Sequence, residues 1–264
     1  MSVVSGCDVA VAPPGAVPVA TAELWIGVPA STSGRSRMKD PAAPSGVRWL
    51  VFFAVREEAS PLERLLGACP SSIRVRTTGM GHANAGRCVV QELQATTPAA
   101  ILTCGFAGGL DPALPHGQVV FDADPGLGIV ETLAARGAVP VRFVHTDRIL
   151  ITAREKADLR GRTGADAVDM ESAVIRERAR AAGVPSATIR VVSDAAGEEL
   201  PLDFNELMTP DMRLHYPSLI GQLMVSPGRI PCLMGFGRRT ALAARALASV
   251  VKAVFDRPPP FSGV

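Results

Sequence analysis

Residues 98–110 read Pro98-Ala99-Ala100-Ile101-Leu102-Thr103-Cys104-Gly105-Phe106-Ala107-Gly108-Gly109-Leu110, an apolar run that passes straight into a glycine turn. Residues 99–103 are a short apolar run bounded by a proline and a glycine-rich stretch, the pattern of a buried strand. Upstream, Trp49-Leu50-Val51-Phe52-Phe53-Ala54-Val55 reads as a first strand, 57–66 as a helix ending at Gly67, 73–77 as a second strand and 84–93 as a helix. Downstream, 119–121 and 139–144 are weaker strand candidates and 153–162 is helical. Residues 167–169 are extended, 172–182 helical up to Gly183, 188–192 form the last clear strand, and 239–255 a closing helix. Strands alternating with helices predict a single-domain α/β/α sandwich around a mixed, largely parallel central sheet.

Composition supports one such domain. The chain has 264 residues, 47% hydrophobic and 20% charged, with two Trp and one Tyr. That is enough apolar material for a sizeable core, and it excludes a disordered chain or a coiled coil. A net charge of +2 is too near balance to point to nucleic acid. No 18-residue apolar run is present, so no transmembrane helix is expected. The five cysteines (Cys7, Cys69, Cys88, Cys104, Cys232) contain no CxxC pair and read as reduced thiols in a cytoplasmic protein. The four histidines (His82, His116, His145, His215) lack ligand spacing, so zinc is a poor candidate and no metal is expected. Residues 1–46, rich in Ala, Pro, Gly, Ser and Val, read as a disordered leader, and 47–264 as the domain.

In a parallel sheet the ligand sits beyond the carboxyl ends of the strands. The first strand is followed by Arg56-Glu57-Glu58 and the third by the Gly105 to Gly109 turn. Strand 167–169 leads to Met170-Glu171, and the last strand to Ser193-Asp194. Three carboxylates and a glycine turn are therefore expected at one edge of the sheet.

Five segments in this order resemble the purine nucleoside phosphorylase and 5′-methylthioadenosine/S-adenosylhomocysteine nucleosidase superfamily. They are Ala54-Val55-Arg56-Glu57-Glu58, Thr78-Gly79-Met80-Gly81-His82-Ala83-Asn84-Ala85, and Leu102 to Leu110 as quoted above. Ala167-Val168-Asp169-Met170-Glu171-Ser172 and Arg190-Val191-Val192-Ser193-Asp194 complete the set. Together with Ser226-Pro227-Gly228-Arg229-Ile230-Pro231, the stretch from Val168 to Ser172 looks most like the hopanoid-associated branch, linked to removal of adenine from adenosylhopane. The resemblance implies a nucleoside phosphorylase-like fold, a small-molecule nucleoside substrate, no cofactor and a homodimer.

It also implies roles. Asp194 would protonate the departing purine, which demands a buried carboxyl of raised pKa; the plainer account is a helix N-cap. Glu58 would deprotonate the attacking water, with Glu57 the alternative if the register is off by one. Glu171 would hold the ribose hydroxyls, where the plainer account is a first-turn helix glutamate. Met170 would pack on the ribose, Thr103 and the amides around Gly105 would surround the nucleophile, and Leu150 and Ser193 would complete the substrate site. Gly79 and Gly81 serve equally as turn glycines, and His82 stays outside the set.

Phosphorylases of this superfamily carry an arginine in the strand before the Thr-Cys-Gly turn, and 98–103 has none; Arg76 and Arg87 are the only nearby cations. Water is therefore the expected nucleophile. A non-catalytic binding module would lack one of the three carboxylates. A dinucleotide-dependent dehydrogenase would want GxGxxG after the first strand. Residues 200–237 form an apolar insertion, including Leu219, Ile220, Leu223, Met224, Val225, Ile230 and Leu233, with 238–256 as the closing helix. The insertion reads either as core or dimer face, or as a vestibule for a bulky apolar 5′-substituent.

Overall fold

The structure, a computed structural model, describes residues 46–209, 211, 212, 217, 228 and 230–256. Its strands are β1 (Trp49–Phe53), β2 (Ile73–Thr77), β3 (Ala100–Gly109), β4 (Val119–Ala123), β5 (Val139–Pro140), β6 (Phe143–His145), β7 (Ala167–Asp169) and β8 (Ser186–Asp194). The helices are α1 (Arg56–Leu66), α2 (His82–Ala95), α3 (Val130–Ala135), α4 (Ala153–Thr163), α5 (Ser172–Ala181) and α6 (Ile230–Phe255). The strands make one mixed sheet in the order β2-β1-β3-β8-β4-β5, with β7 paired to β3 and β6 to β7. Pairs β1–β2, β1–β3, β3–β8, β4–β5 and β6–β7 are parallel; β4–β8 and β3–β7 are antiparallel.

Alternation along β1 builds the layers. Trp49, Val51 and Phe53 join a core with Ala59 and Leu62 of α1 and Leu247, Val251 and Val254 of α6. Leu50 and Phe52 face the other way, onto Ala85 and Val89 of α2 and Val174 and Ile175 of α5. Because helices cover both its faces, β1 is buried throughout and reads as an unbroken hydrophobic run.

β3 is the axis of the molecule. Its ten residues carry it past its neighbours, and its last two, Gly108 and Gly109, pair with Val168 and Ala167 of β7. β7 runs antiparallel there, so its exit, Asp169 to Glu171, returns over the middle of β3. The expectation that every ligand-bearing turn leaves a parallel strand needs that amendment. The register of β3 against β8 also shifts between Ala107 and Gly108, a bulge beside the site.

Other differences have local causes. Residues 139–144 divide into two short strands at Val141-Arg142. The closing helix begins at Ile230 instead of 238, because Pro231 lies in its first turn, where a missing N–H costs nothing. The expected leader lies outside the described residues apart from Gly46, as do Leu219, Ile220, Leu223, Met224 and Val225 of the apolar insertion. Among the described residues no helix is long and apolar enough to cross a membrane.

Candidate active site

Glu58 lies in the first turn of α1, so Glu57 and Glu58 are separated by a helical step and not by strand alternation. Glu57 is exposed, whereas Glu58 is 4% exposed. One Glu58 oxygen accepts the N–H of Ala54 (3.0 Å) and Val55 (3.3 Å); the other accepts that of Phe106 (2.8 Å). Burial pushes its pKa up to about 7, overriding the opposing pull of Arg190 and of the Phe106 and Val55 amides. A carboxylate poised near neutrality inside a cavity is suited to general-base work.

Arg190 projects from the middle of β8 and is 1% exposed. Its Nη2 lies 2.6 Å from Asp169 Oδ2 and 3.6 Å from Glu171 Oε2, and donates to Thr103 Oγ1 (3.2 Å); Nη1 donates to the Cys104 carbonyl (3.1 Å). Gly105 makes room for it. At φ +146, a Cβ there would lie 2.4 Å from Arg190 Nη1 and 2.8 Å from both Glu58 oxygens. Glycine is required at that position both by conformation and by space.

Asp169 is held more firmly than a simple ion pair. It accepts the Ser172 N–H (3.0 Å) and hydroxyl (2.9 Å), capping α5, and sits 2.8 Å from His145 Nδ1. Burial works to raise its pKa, but Arg190, His145 and Ser172 together hold it below the usual carboxylate value. Glu171 has no capping bond of its own at the start of α5. Its Oε1 reaches across to accept the Gly81 N–H at 2.8 Å, and burial, opposed by Arg190, leaves its pKa raised. The first-turn macrodipole account therefore does not describe this side chain. Gly79 (φ +80) and Gly81 (φ +85) form the turn that presents this amide.

At the other end of the site stands Asp194, the last residue of β8. Its Oδ1 accepts the Ser193 hydroxyl (2.6 Å), and its Oδ2 is 2.5 Å from Lys156 Nζ. Burial raises its pKa, Lys156 and Ser193 draw it back, and the net direction is upward. Lys156 comes from α4, has no exposed surface, and also donates to the carbonyls of Ala195 and Glu198, each at 2.8 Å.

Glu58, Glu171 and Asp194 all line one cavity of about 650 Å³, together with Met170, Leu150, Ser193 and Lys156. Thr103 and Gly105 are not among its lining residues; Thr103 accepts from Arg190 and Gly105 leaves it room. The far wall is apolar: Ile149, Leu200, Phe204, Met208, Met212 and Phe236. It is tied down from both sides. Asn205 exchanges two 2.9 Å bonds with the backbone of Ile149, the Leu200 N–H donates to the Ile151 carbonyl, and the Phe204 and Phe236 rings lie 6.1 Å apart. Cys104 is no nucleophile, since burial pushes its thiol up to about 12. Among the described residues no group of three or more His, Cys, Asp or Glu is arranged to hold a metal ion.

Three cations at this site escape the sequence reading: Arg190, Lys156 and Arg148, the last paired with Glu155 at 2.6 Å. Arg76 is occupied at 2.6 Å by Glu92 and Arg87 bonds Asn84, so neither is the relevant cation; Arg190 and Lys156 are. A signal for Arg190 existed: a charge inside Thr188-Ile189-Arg190-Val191-Val192 has no place in a strand buried on both faces unless it is paired.

Comparison with known proteins agrees with this architecture. Residues 129–213 match the family described as the Phosphorylase superfamily. A 5′-methylthioadenosine/S-adenosylhomocysteine nucleosidase of Anoxybacillus flavithermus is 27% identical over 183 residues, 56% of this chain and 78% of that protein. Both are likenesses over part of the chain. Among solved structures, futalosine hydrolase of Helicobacter pylori superposes with a TM-score of 0.57 at 18% identity, covering 80% of this chain and 97% of that one. The Colwellia psychrerythraea nucleosidase in complex with adenine gives 0.58 at 18% identity, covering 81% and 96%. The fold is the nucleoside phosphorylase-like α/β fold.

Proposed function

We propose that this protein is an N-ribosyl hydrolase that releases adenine or a related purine from a 5′-substituted nucleoside. The observation that carries the reading is a single cavity lined by three buried carboxyl groups in different electrostatic settings. Rupture of the N-ribosidic bond puts positive charge on the sugar and negative charge on the base. Asp194, with its raised pKa, gives its proton to the purine as the C1′–N9 electrons leave. Glu58 takes a proton from water, whose oxygen bonds to C1′. Glu171 accepts from the ribose hydroxyls and faces the developing cation. The nucleosidase relatives support this reaction class.

Water is favoured over phosphate by the charge count. Around the nucleophile end stand Glu58, Asp169 and Glu171 against Arg190 alone, and Arg190 is already engaged by Asp169 at 2.6 Å. Among the described residues a phosphate dianion would meet surplus negative charge, with Arg190 engaged by Asp169 and Arg148 by Glu155. Phosphorolysis remains the second reading, favoured by one observation: the buried Arg190 Nε has no partner. Assaying adenine release with and without inorganic phosphate decides between them. The 5-substituted ribose, formed at a phosphate-independent rate, is expected, and its 1-phosphate would overturn the hydrolase reading.

We further propose that the 5′-substituent is bulky and apolar, as in adenosylhopane, because the Phe204, Met208, Met212 and Phe236 wall offers hydrocarbon contact and few polar partners. Each buried methylene contributes about 0.8 kcal/mol, so an alkyl chain of several carbons gains a large advantage over a methylthio group. A cytoplasmic homodimer belongs to the same reading.

A further inference from the structure

We infer that Lys156 is the positioning residue for the Asp194 carboxyl group, fixing which oxygen faces the substrate and receiving the negative charge left on that carboxyl when its proton departs. The inference rests on the proposed hydrolysis for its chemistry but on separate geometry for its substance.

The lysine is anchored independently of the aspartate. Two of its three ammonium hydrogens go to the carbonyls of Ala195 and Glu198, both at 2.8 Å. Those two residues close their own turn: the Glu198 N–H donates to the Ala195 carbonyl at 3.0 Å, and the Ala195 N–H to Glu198 Oε2 at 3.0 Å. The turn therefore sets the ammonium in place and leaves one hydrogen for Asp194 Oδ2, 2.5 Å away. Ser193 occupies the opposite oxygen at 2.6 Å. With one oxygen tethered by Ser193 and the other by Lys156, rotation of the carboxyl plane is restrained, and the remaining lone-pair directions are left for a ligand.

Stability does not account for this lysine. A fully buried ion pair is commonly no better than an apolar pair of the same volume, because desolvation of both charges offsets their attraction. What the pair does alter is acid strength. When Asp194 gives its proton to the purine, the O–H bond breaks, the pair of electrons stays on the carboxylate, and the Lys156 ammonium faces that new charge at contact distance. A stronger acid has a larger driving force for proton transfer, as long as it is still protonated at the working pH.

The neighbouring charges are few. From α4 comes Lys156; from the turn after β8 comes Glu198, whose negative charge acts in the opposite sense on Asp194. Glu198 is itself held by Arg239 of α6 at 3.0 Å. Gly108 of β3 and Val168 of β7 pack beside Asp194 Oδ2, and Asp169 of β7 lies in the same cavity, paired with Arg190.

Replacement of Lys156 by Met and by Arg tests the inference through the pH profile of adenine release from 5′-methylthioadenosine. Lys156→Met is expected to lower kcat by about 10–100-fold with KM little changed, and to move the basic limb of the kcat profile upward by about one unit. The direction follows because Asp194 loses the cation that lowers its pKa and keeps its proton to higher pH. Lys156→Arg should retain the wild-type limb. Glu198→Gln, which removes the opposing charge, should move the limb downward, and it stands as the second arm if Lys156→Met does not fold. A Met variant whose profile is unshifted or shifted downward overturns the inference, as does a Gln variant shifted upward. If the wild type cleaves no nucleoside, the proposed function fails. Titration of the Asp194 carboxyl carbon by NMR in the wild type and either variant still tests the pairing, with the same directions expected.

Discussion

The two ends of the cavity hold their acids in opposite ways. Glu58 is gripped by three backbone amides and stands among Asp169 and Glu171 with a single guanidinium for all of them. Asp194 is gripped by two side chains, and its one close cation is reserved for it. A main-chain grip fixes position without adding a full charge, so burial dominates and Glu58 rises to about 7. A side-chain grip brings charge, so the acidity of Asp194 depends on which residue stands at 156. One end is thereby tuned by fold geometry, the other by sequence.

The sharpest way to break this comparison is Glu58→Gln. It should cost turnover about 10⁴-fold, while the exposed Glu57→Gln variant stays within a small factor of wild type. Steady-state rates of both variants check it, and a dead Glu57 variant would move the base to the other residue. The same end predicts a pH limb. A base must be ionised, so kcat/KM should fall as pH drops through about 7 and level off above it. A profile flat down to pH 5 would remove Glu58 from the base role.

Asp194→Asn comes next, with a loss of about 10²–10³-fold. Here the comparison adds a consequence for stability. The variant leaves a buried ammonium without its counter-charge, which should cost on the order of 3 kcal/mol. Thermal or denaturant unfolding should show the loss, and Asp194→Asn combined with Lys156→Met should recover stability without recovering activity. An Asn variant as stable as wild type would mean the pair is more hydrated than its burial indicates.

The smallest effect belongs to the apolar wall. Met208→Ala and Phe236→Ala should each lower kcat/KM for a long-alkyl 5′-substituted adenosine by about tenfold and leave 5′-methylthioadenosine nearly untouched. Equal losses on both substrates would return the wall to a packing role.

Much of the fold was legible because its signals are local. The bounds of β2 and β7 agree with runs 73–77 and 167–169, and the apolar text of β1 and β3 reflects helices on both faces. The short α3 and the early start of α6 escaped notice because a six-residue helix has too few turns to show a period, and Gly235 and Gly237 look like a break. At the site, carboxylates at strand exits could be found from sequence, since strand ends mark the ligand edge. Lys156 could not. In Ala153-Arg154-Glu155-Lys156-Ala157-Asp158 it is one charge among several on a polar helix, and only the turn at 195–198 brings it inside. Arg190 was visible as an anomaly, but its partners come from two other segments, Thr103 on β3 and Asp169 and Glu171 at the exit of β7.

The antiparallel return of β7 across the end of β3 bears on how the protein acquires its site in time. The Gly81–Glu171 bond closes a loop of 90 residues, Arg190–Thr103 one of 87, and Phe106–Glu58 one of 48. Contacts so distant along the chain form late, after the entropy of closing those loops has been overcome. A partly folded chain with β1, β2 and β3 assembled would hold Glu58 but neither Glu171 nor Arg190 against it. The site therefore has no early, partly competent form. Recovery of turnover during refolding should follow the slowest tertiary phase, with no activity preceding it.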